Sequence, residues 1–63
     1  MSLSGRETQC LELLIEGKHD KDIARVLGVA PETVRTYVRL ACAKLDAPNR
    51  LVAAVKFDRQ KRF

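Results

Sequence analysis

Arg35 and Arg39 stand one helical turn apart in the segment 31–45, with Thr36 beside them. Each guanidinium is a planar fork of N–H donors, suited to a pair of acceptor atoms lying in one plane, such as a carboxylate, a phosphate or the edge of a guanine. Two such forks on one face of a helix can enter a single groove. Glu32 shares the face and has two readings: it can accept from cytosine N4, or simply favour a helix N-terminus. The same charges also suit an ordinary solvated surface, since Glu32 with Arg35 or Thr36 is a normal pairing at helix spacing.

Other chemistry finds little to stand on. The single histidine, His19, lies in a polar turn with no serine or cysteine placed by local spacing to act with it. Cys10 and Cys42 lack the paired short spacing of a zinc site, and each falls in a helical pattern where cysteine serves as a small apolar residue. No glycine-rich phosphate loop is present, and the carboxylates are dispersed along the chain. Neither enzymatic activity, nor a metal, nor a cofactor is expected.

The elements that must position the arginines follow from caps and periodicity. Ser4 with Glu7 has the capping-box spacing, Leu3 precedes it as a staple, and Cys10, Leu11, Leu14 and Ile15 form an apolar stripe ended by Gly17. A first helix over 5–16 results. After a polar turn at Lys18, His19 and Asp20, the stretch Ile23, Ala24, Val26, Leu27 makes a short second helix over 20–27, with His19 or Asp20 as its cap. Gly28-Val29-Ala30 is then a turn, and Pro31 sits at the first position of a third helix over 31–45, where its missing N–H costs nothing. On that helix Val34, Val38, Ala41 and Leu45 share one stripe, roughly 140° from the Arg35–Arg39 face. Asn49 caps a fourth helix over 49–61 that carries Leu51, Val52, Ala54, Val55 and Phe57. Strand signals are absent, so the fold class is all-α, and a short helix, a glycine turn and a longer helix over 20–45 are the parts of a helix-turn-helix.

Charge follows the same division. The 63 residues carry 12 Lys+Arg and 8 Asp+Glu, a net +4. Residues 1–30 hold four basic and five acidic groups, whereas 31–63 hold eight and three. The second half is the basic one, and double-stranded DNA is the natural ligand for a basic helix-turn-helix. A chain this short has room for one domain and a core that yields roughly 3–5 kcal/mol, so it wants a partner or a staple. No apolar run of membrane-spanning length and no secretory leader pattern is visible, and the expectation is a cytoplasmic protein with both thiols reduced.

Several groups of residues together resemble the LuxR-type DNA-binding domain shared by the NarL/FixJ response regulators. They are Leu3-Ser4 with Arg6-Glu7, Gly17, Lys21-Asp22-Ile23-Ala24, Leu27-Gly28-Val29, Thr33-Val34-Arg35, Lys44-Leu45 and Asn49-Arg50. The match runs from Leu3 to about Phe57. The resemblance implies a four-helix domain that regulates transcription, its third helix in the major groove and its fourth forming a homodimer on a two-fold site. It further implies base contacts from Arg35, Thr36 and Arg39, and phosphate contacts from Lys21, Thr33 and Lys44. Helix four would dimerise through Leu51, Val55 and Phe57. Glu7 and Arg50 are both matched charged positions and are expected to pair, tying helix four to helix one; the alternative is that Glu7 only completes the Ser4 cap.

Departures from the family pattern are specific. Ala30 stands where a capping serine is usual, which costs about 1 kcal/mol. Tyr37 replaces a common histidine and Leu40 a common asparagine, so that Leu40 either lies under helix four or widens an exposed patch. Asp46 replaces a common glycine where a left-handed backbone is often needed, a conformation Asp tolerates better than most. Family members usually carry a receiver or ligand-binding domain ahead of this one, and only Met1 and Ser2 precede Leu3 here, as in a stand-alone member or an excised domain. Two other readings stay open: an interaction protein that binds or inhibits a partner regulator through helix four, and a promoter reader resembling the last region of a sigma factor, which would work with RNA polymerase.

Overall fold

Ser4 turns the chain into its first helix. Its Oγ accepts the Glu7 N–H at 3.2 Å while Glu7 Oε1 accepts the Ser4 N–H at 2.9 Å, a reciprocal capping box. In the computed structural model, which describes residues 2–62, four helices follow: α1 Gly5–Ile15, α2 Asp20–Leu27, α3 Pro31–Lys44 and α4 Arg50–Arg62. These are the four expected from the sequence, except that Glu16, Leu45 and Asn49 are caps outside the helices and α4 runs one residue further, to Arg62. No strand occurs among the described residues.

The turns close as local chemistry requires. At the end of α1, Gly17 takes φ 88°, its N–H reaching the Leu14 carbonyl at 2.9 Å and the Lys18 N–H the Leu13 carbonyl at 3.1 Å. That is a Schellman stop. Asp46 makes the same stop after α3: at φ 54° it lets the Ala47 N–H return to the Cys42 carbonyl at 2.9 Å. The aspartate thus occupies the left-handed position expected of it. His19 caps α2 through its backbone, its N–H donating to Asp22 Oδ2 at 3.3 Å. Asn49 Oδ1 accepts the Val52 N–H at 2.9 Å and starts α4.

Burial divides into two adjoining clusters. Cys10 of α1, Ile23, Ala24 and Leu27 of α2, and Val34 and Val38 of α3 form one. Leu11 of α1, Ala41 of α3, and Ala53 and Phe57 of α4 form the other, with Leu14 and Cys42 packed against both. Within α3 the stripe therefore serves two neighbours in turn, its first part facing α2 and its later part α4. Both cysteines are free thiols.

Candidate nucleic-acid interface

Because Val34, Val38 and Ala41 are buried, the opposite side of α3 is turned to solvent, and Glu32, Arg35, Thr36, Arg39 and Leu40 are all exposed there. The separation expected from the helical wheel is present in three dimensions. Leu40, 47 % exposed, widens this surface and does not lie under α4. Thr36 Oγ1 donates to the Glu32 carbonyl at 3.1 Å, so its proton is spent within the helix. Arg35 Nε lies 3.7 Å from Asp20 Oδ2, at the start of α2. No carboxylate lies within 4 Å of Arg39 or Lys21 among the described residues, and both are exposed.

Two expectations about charge partners are corrected. Glu7 does not meet Arg50. Its Oε1 accepts from Lys44 Nζ at 2.8 Å, and Arg50 instead grips Asp20 with both arms, Nη1 to Oδ1 at 2.6 Å and Nη2 to Oδ2 at 3.2 Å. The reason is placement: Arg50 opens α4 beside the N-terminus of α2, while Glu7 faces the end of α3. Glu7 is only 3 % exposed, and its carboxyl is held below the ordinary glutamate range, first by the Lys44 hydrogen bond and then by the Ser4 N–H, against the opposing effect of burial. Lys44, for which the resemblance implies a phosphate contact, also holds the capping box and has a half-buried side chain.

Helix four requires a third correction. Leu51 and Val55 are 72 % and 44 % exposed, but Phe57 is 9 % exposed and belongs to the core with Leu11, Ala41 and Ala53. It is withdrawn from any surface stripe. Ile15 at the end of α1, 41 % exposed, lines one shallow hollow with Val55, Ala54, Asp58 and Arg59, and Leu51 lines a neighbouring one with Leu14, Arg50 and Ala54. A further contact escaped the sequence: Lys56 Nζ donates to the carbonyls of Leu45 at 3.1 Å and Asp46 at 2.9 Å, so a cation from α4 caps the C-terminus of α3. Its place in the middle of a basic helix gives no signal of this contact in the sequence.

Cys10 is fully buried, and burial, followed by the charge of Asp20, pushes its thiol up, away from the thiolate. Among the described residues no group of three His, Cys, Asp or Glu side chains is placed to hold a metal ion, and no helix is long and apolar enough to cross a membrane.

Against known proteins, a family model described as "Bacterial regulatory proteins, luxR family" matches residues 1–57. The transcriptional regulatory protein DesR of Bacillus subtilis (strain 168) is 39% identical over 54 residues, which is 86% of this chain and 27% of DesR. The transcriptional activator protein VanR of Vibrio anguillarum is 41% identical over 54 residues, 86% of this chain and 22% of VanR. The nitrate/nitrite response regulator protein NarP of Escherichia coli (strain K12) is 34% identical over 59 residues, 94% of this chain and 27% of NarP. The chain thus spans about a quarter of the length of these relatives. No solved structure gives a significant match.

Proposed function

Since the chain belongs to the luxR family of bacterial regulatory proteins, we propose that it binds double-stranded DNA sequence-specifically as a transcription regulator of the cytoplasm, laying α3 in the major groove. The observation that carries this reading is the exposed Arg35–Arg39 face directly opposite the buried Val34–Val38–Ala41 stripe. Arg35 and Arg39 have the forks to read guanine O6 and N7. Thr36, its proton engaged by Glu32, offers its methyl group to a thymine. Lys21 and Thr33, near the start of each helix of the motif, face the phosphates and set the register. Lys44 spends one of its three N–H donors on Glu7, tying α1 to α3, and keeps the others for a phosphate. A second copy covers Leu51, Val55 and Ile15, placing two reading helices on a two-fold site, while Phe57 holds α4 in place from within. The strong exposure of Leu51 also fits a partner regulator on the same face.

Selection from a random duplex pool at two salt concentrations tests the reading. An inverted-repeat consensus is expected, with Arg35→Ala or Arg39→Ala losing about 1–3 kcal/mol on the selected site and relaxing the base preference beneath it. Equal losses on selected and random DNA would reduce both arginines to phosphate contacts. Absence of binding even at low salt would move the function to the protein partner at helix four.

A further inference from the structure

Among the described residues, Asp20 is the carboxylate that touches both the start of helix four and the reading face. Its carboxylate accepts the two-armed grip of Arg50 at 2.6 and 3.2 Å, and the same Oδ2 lies 3.7 Å from Arg35 Nε. It is the least exposed member of the three, 19 % against 42 % for Arg50 and 55 % for Arg35. The bidentate pair fixes the plane of the carboxylate. The contact to Arg35 is looser, beyond hydrogen-bond length, and faces Nε. It therefore leaves the two Nη groups, the end of the fork, for an outside acceptor pair. Arg39, one turn along, has no such neighbour among the described residues, so the two arginines of one face are not equivalent.

We infer, resting on the DNA-binding reading above, that Asp20 is a positioning residue for specificity, which steers Arg35 toward base edges and away from phosphate and ties that aim to the seating of α4 through Arg50. The carboxylate works in two ways. It adds a negative charge beside Arg35 that penalises a phosphate on any DNA, and it orients the guanidinium so that the end-on fork points outward. Specificity is a difference between affinities, and both effects weaken random binding more than bidentate binding to guanine.

The test compares Asp20→Asn with Asp22→Asn. The second makes the same change of charge in the same first turn, but at a carboxylate whose ion pair is with Arg25 of its own helix. Affinities for the selected duplex and for a random duplex are measured at two salt concentrations, with a melting curve for each variant. Both variants gain affinity for random DNA. Asp20→Asn lowers the selected-to-random ratio about threefold to tenfold more than Asp22→Asn, at the base pair that Arg35→Ala also relaxes, and has no further effect in an Arg35→Ala background. Equal ratios for the two Asn variants, or an undiminished effect of Asp20→Asn without Arg35, overturn the inference. Should Asp20→Asn fail to fold, Asp20→Glu keeps the charge and displaces the carboxylate; a lowered ratio supports the inference and an unchanged one overturns it. Loss of all duplex binding by the unaltered chain overturns the DNA reading as well, whereas normal behaviour of that chain and of Arg35→Ala with matching Asn variants overturns this inference alone.

Discussion

Between α2 and α3 the buried contact is aliphatic, Ile23, Ala24 and Leu27 meeting Val34 and Val38 over Cys10, with only the looser Asp20–Arg35 pair at its rim. Helix α4 is attached differently. It brings Ala53 and Phe57 to the buried cluster and adds cationic links: Arg50 to Asp20, Lys56 to the end of α3, and Lys61 to Glu12 at 3.4 Å. Exposed ion pairs such as Lys61–Glu12 contribute about 0–1 kcal/mol each, so the hold on α4 comes mainly from Phe57 while the charges set its orientation. The α1–α3 unit is a small packed core, and α4 is a helix seated on it with Leu51 and Val55 left exposed. A helix of that kind is suited to exchange contacts with another molecule.

The largest effects that test this contrast come from emptying each cluster in turn. Ile23→Ala and Phe57→Ala should each cost about 2–5 kcal/mol, comparable with the whole stability of a domain this size. Their distribution should differ. Native-state hydrogen exchange of Phe57→Ala should show protection lost first in α4, with α2 amides better retained, whereas Ile23→Ala removes the seat of α4 and lowers protection in all four helices. Uniform loss in Phe57→Ala would mean that Leu14 and Cys42, which pack against both clusters, fuse them into one cooperative unit.

A smaller effect concerns the polar tie between α1 and α3. The folded Glu7 carboxyl ionises below its unfolded value because Lys44 and the Ser4 N–H hold the charged form. Its contribution is therefore complete above the ordinary glutamate value of about 4.3 and is lost as pH falls through the lower folded value. Glu7→Gln should cost about 1–3 kcal/mol at pH 7. The gap between its melting temperature and that of the unaltered chain should narrow as pH falls from 5 to 3. A gap that stays constant with pH would show that the cap geometry matters and the charge does not.

How far the residues disclosed this arrangement depends on the range of each interaction. Helix ends were legible because the caps are local: Ser4 with Glu7, Gly17, Pro31 and Asn49 act within a few positions of themselves, and Asp46 does so too. The outward face of α3 was legible because one stripe dominates that helix. Helix four has two, since Ala53 and Phe57 share one side and Leu51 and Val55 another, about 160° away from the first. Periodicity cannot say which stripe is buried, although the bulk of Phe57 argues for its own side. The ion pairs were least legible. Glu7–Lys44 spans 37 positions and Arg50–Asp20 spans 30, and which carboxylate meets which cation depends on how the helices approach, which a pattern of charges does not encode.

The smallest predicted change sharpens the contrast from the side of α2 and α3. Ala30 has φ −76° and ψ 152°, nearly the backbone of Ser4 at φ −74° and ψ 167°, yet makes no side-chain cap. Ala30→Ser places a hydroxyl where the first-turn N–H groups of α3 can reach it, and should stabilise the chain by about 0.5–1 kcal/mol, a rise of a few degrees in Tm. Exchange protection should grow mainly in α2 and α3. Part of the gain is already forestalled, because the Thr33 N–H donates to the Ala30 carbonyl at 3.0 Å, leaving the Glu32 N–H as the better customer for the new oxygen. An unchanged Tm would mean that Pro31, which has no N–H to satisfy, together with that single bond already completes the first turn, so that the usual serine is kept at this position for a phosphate and not for the fold.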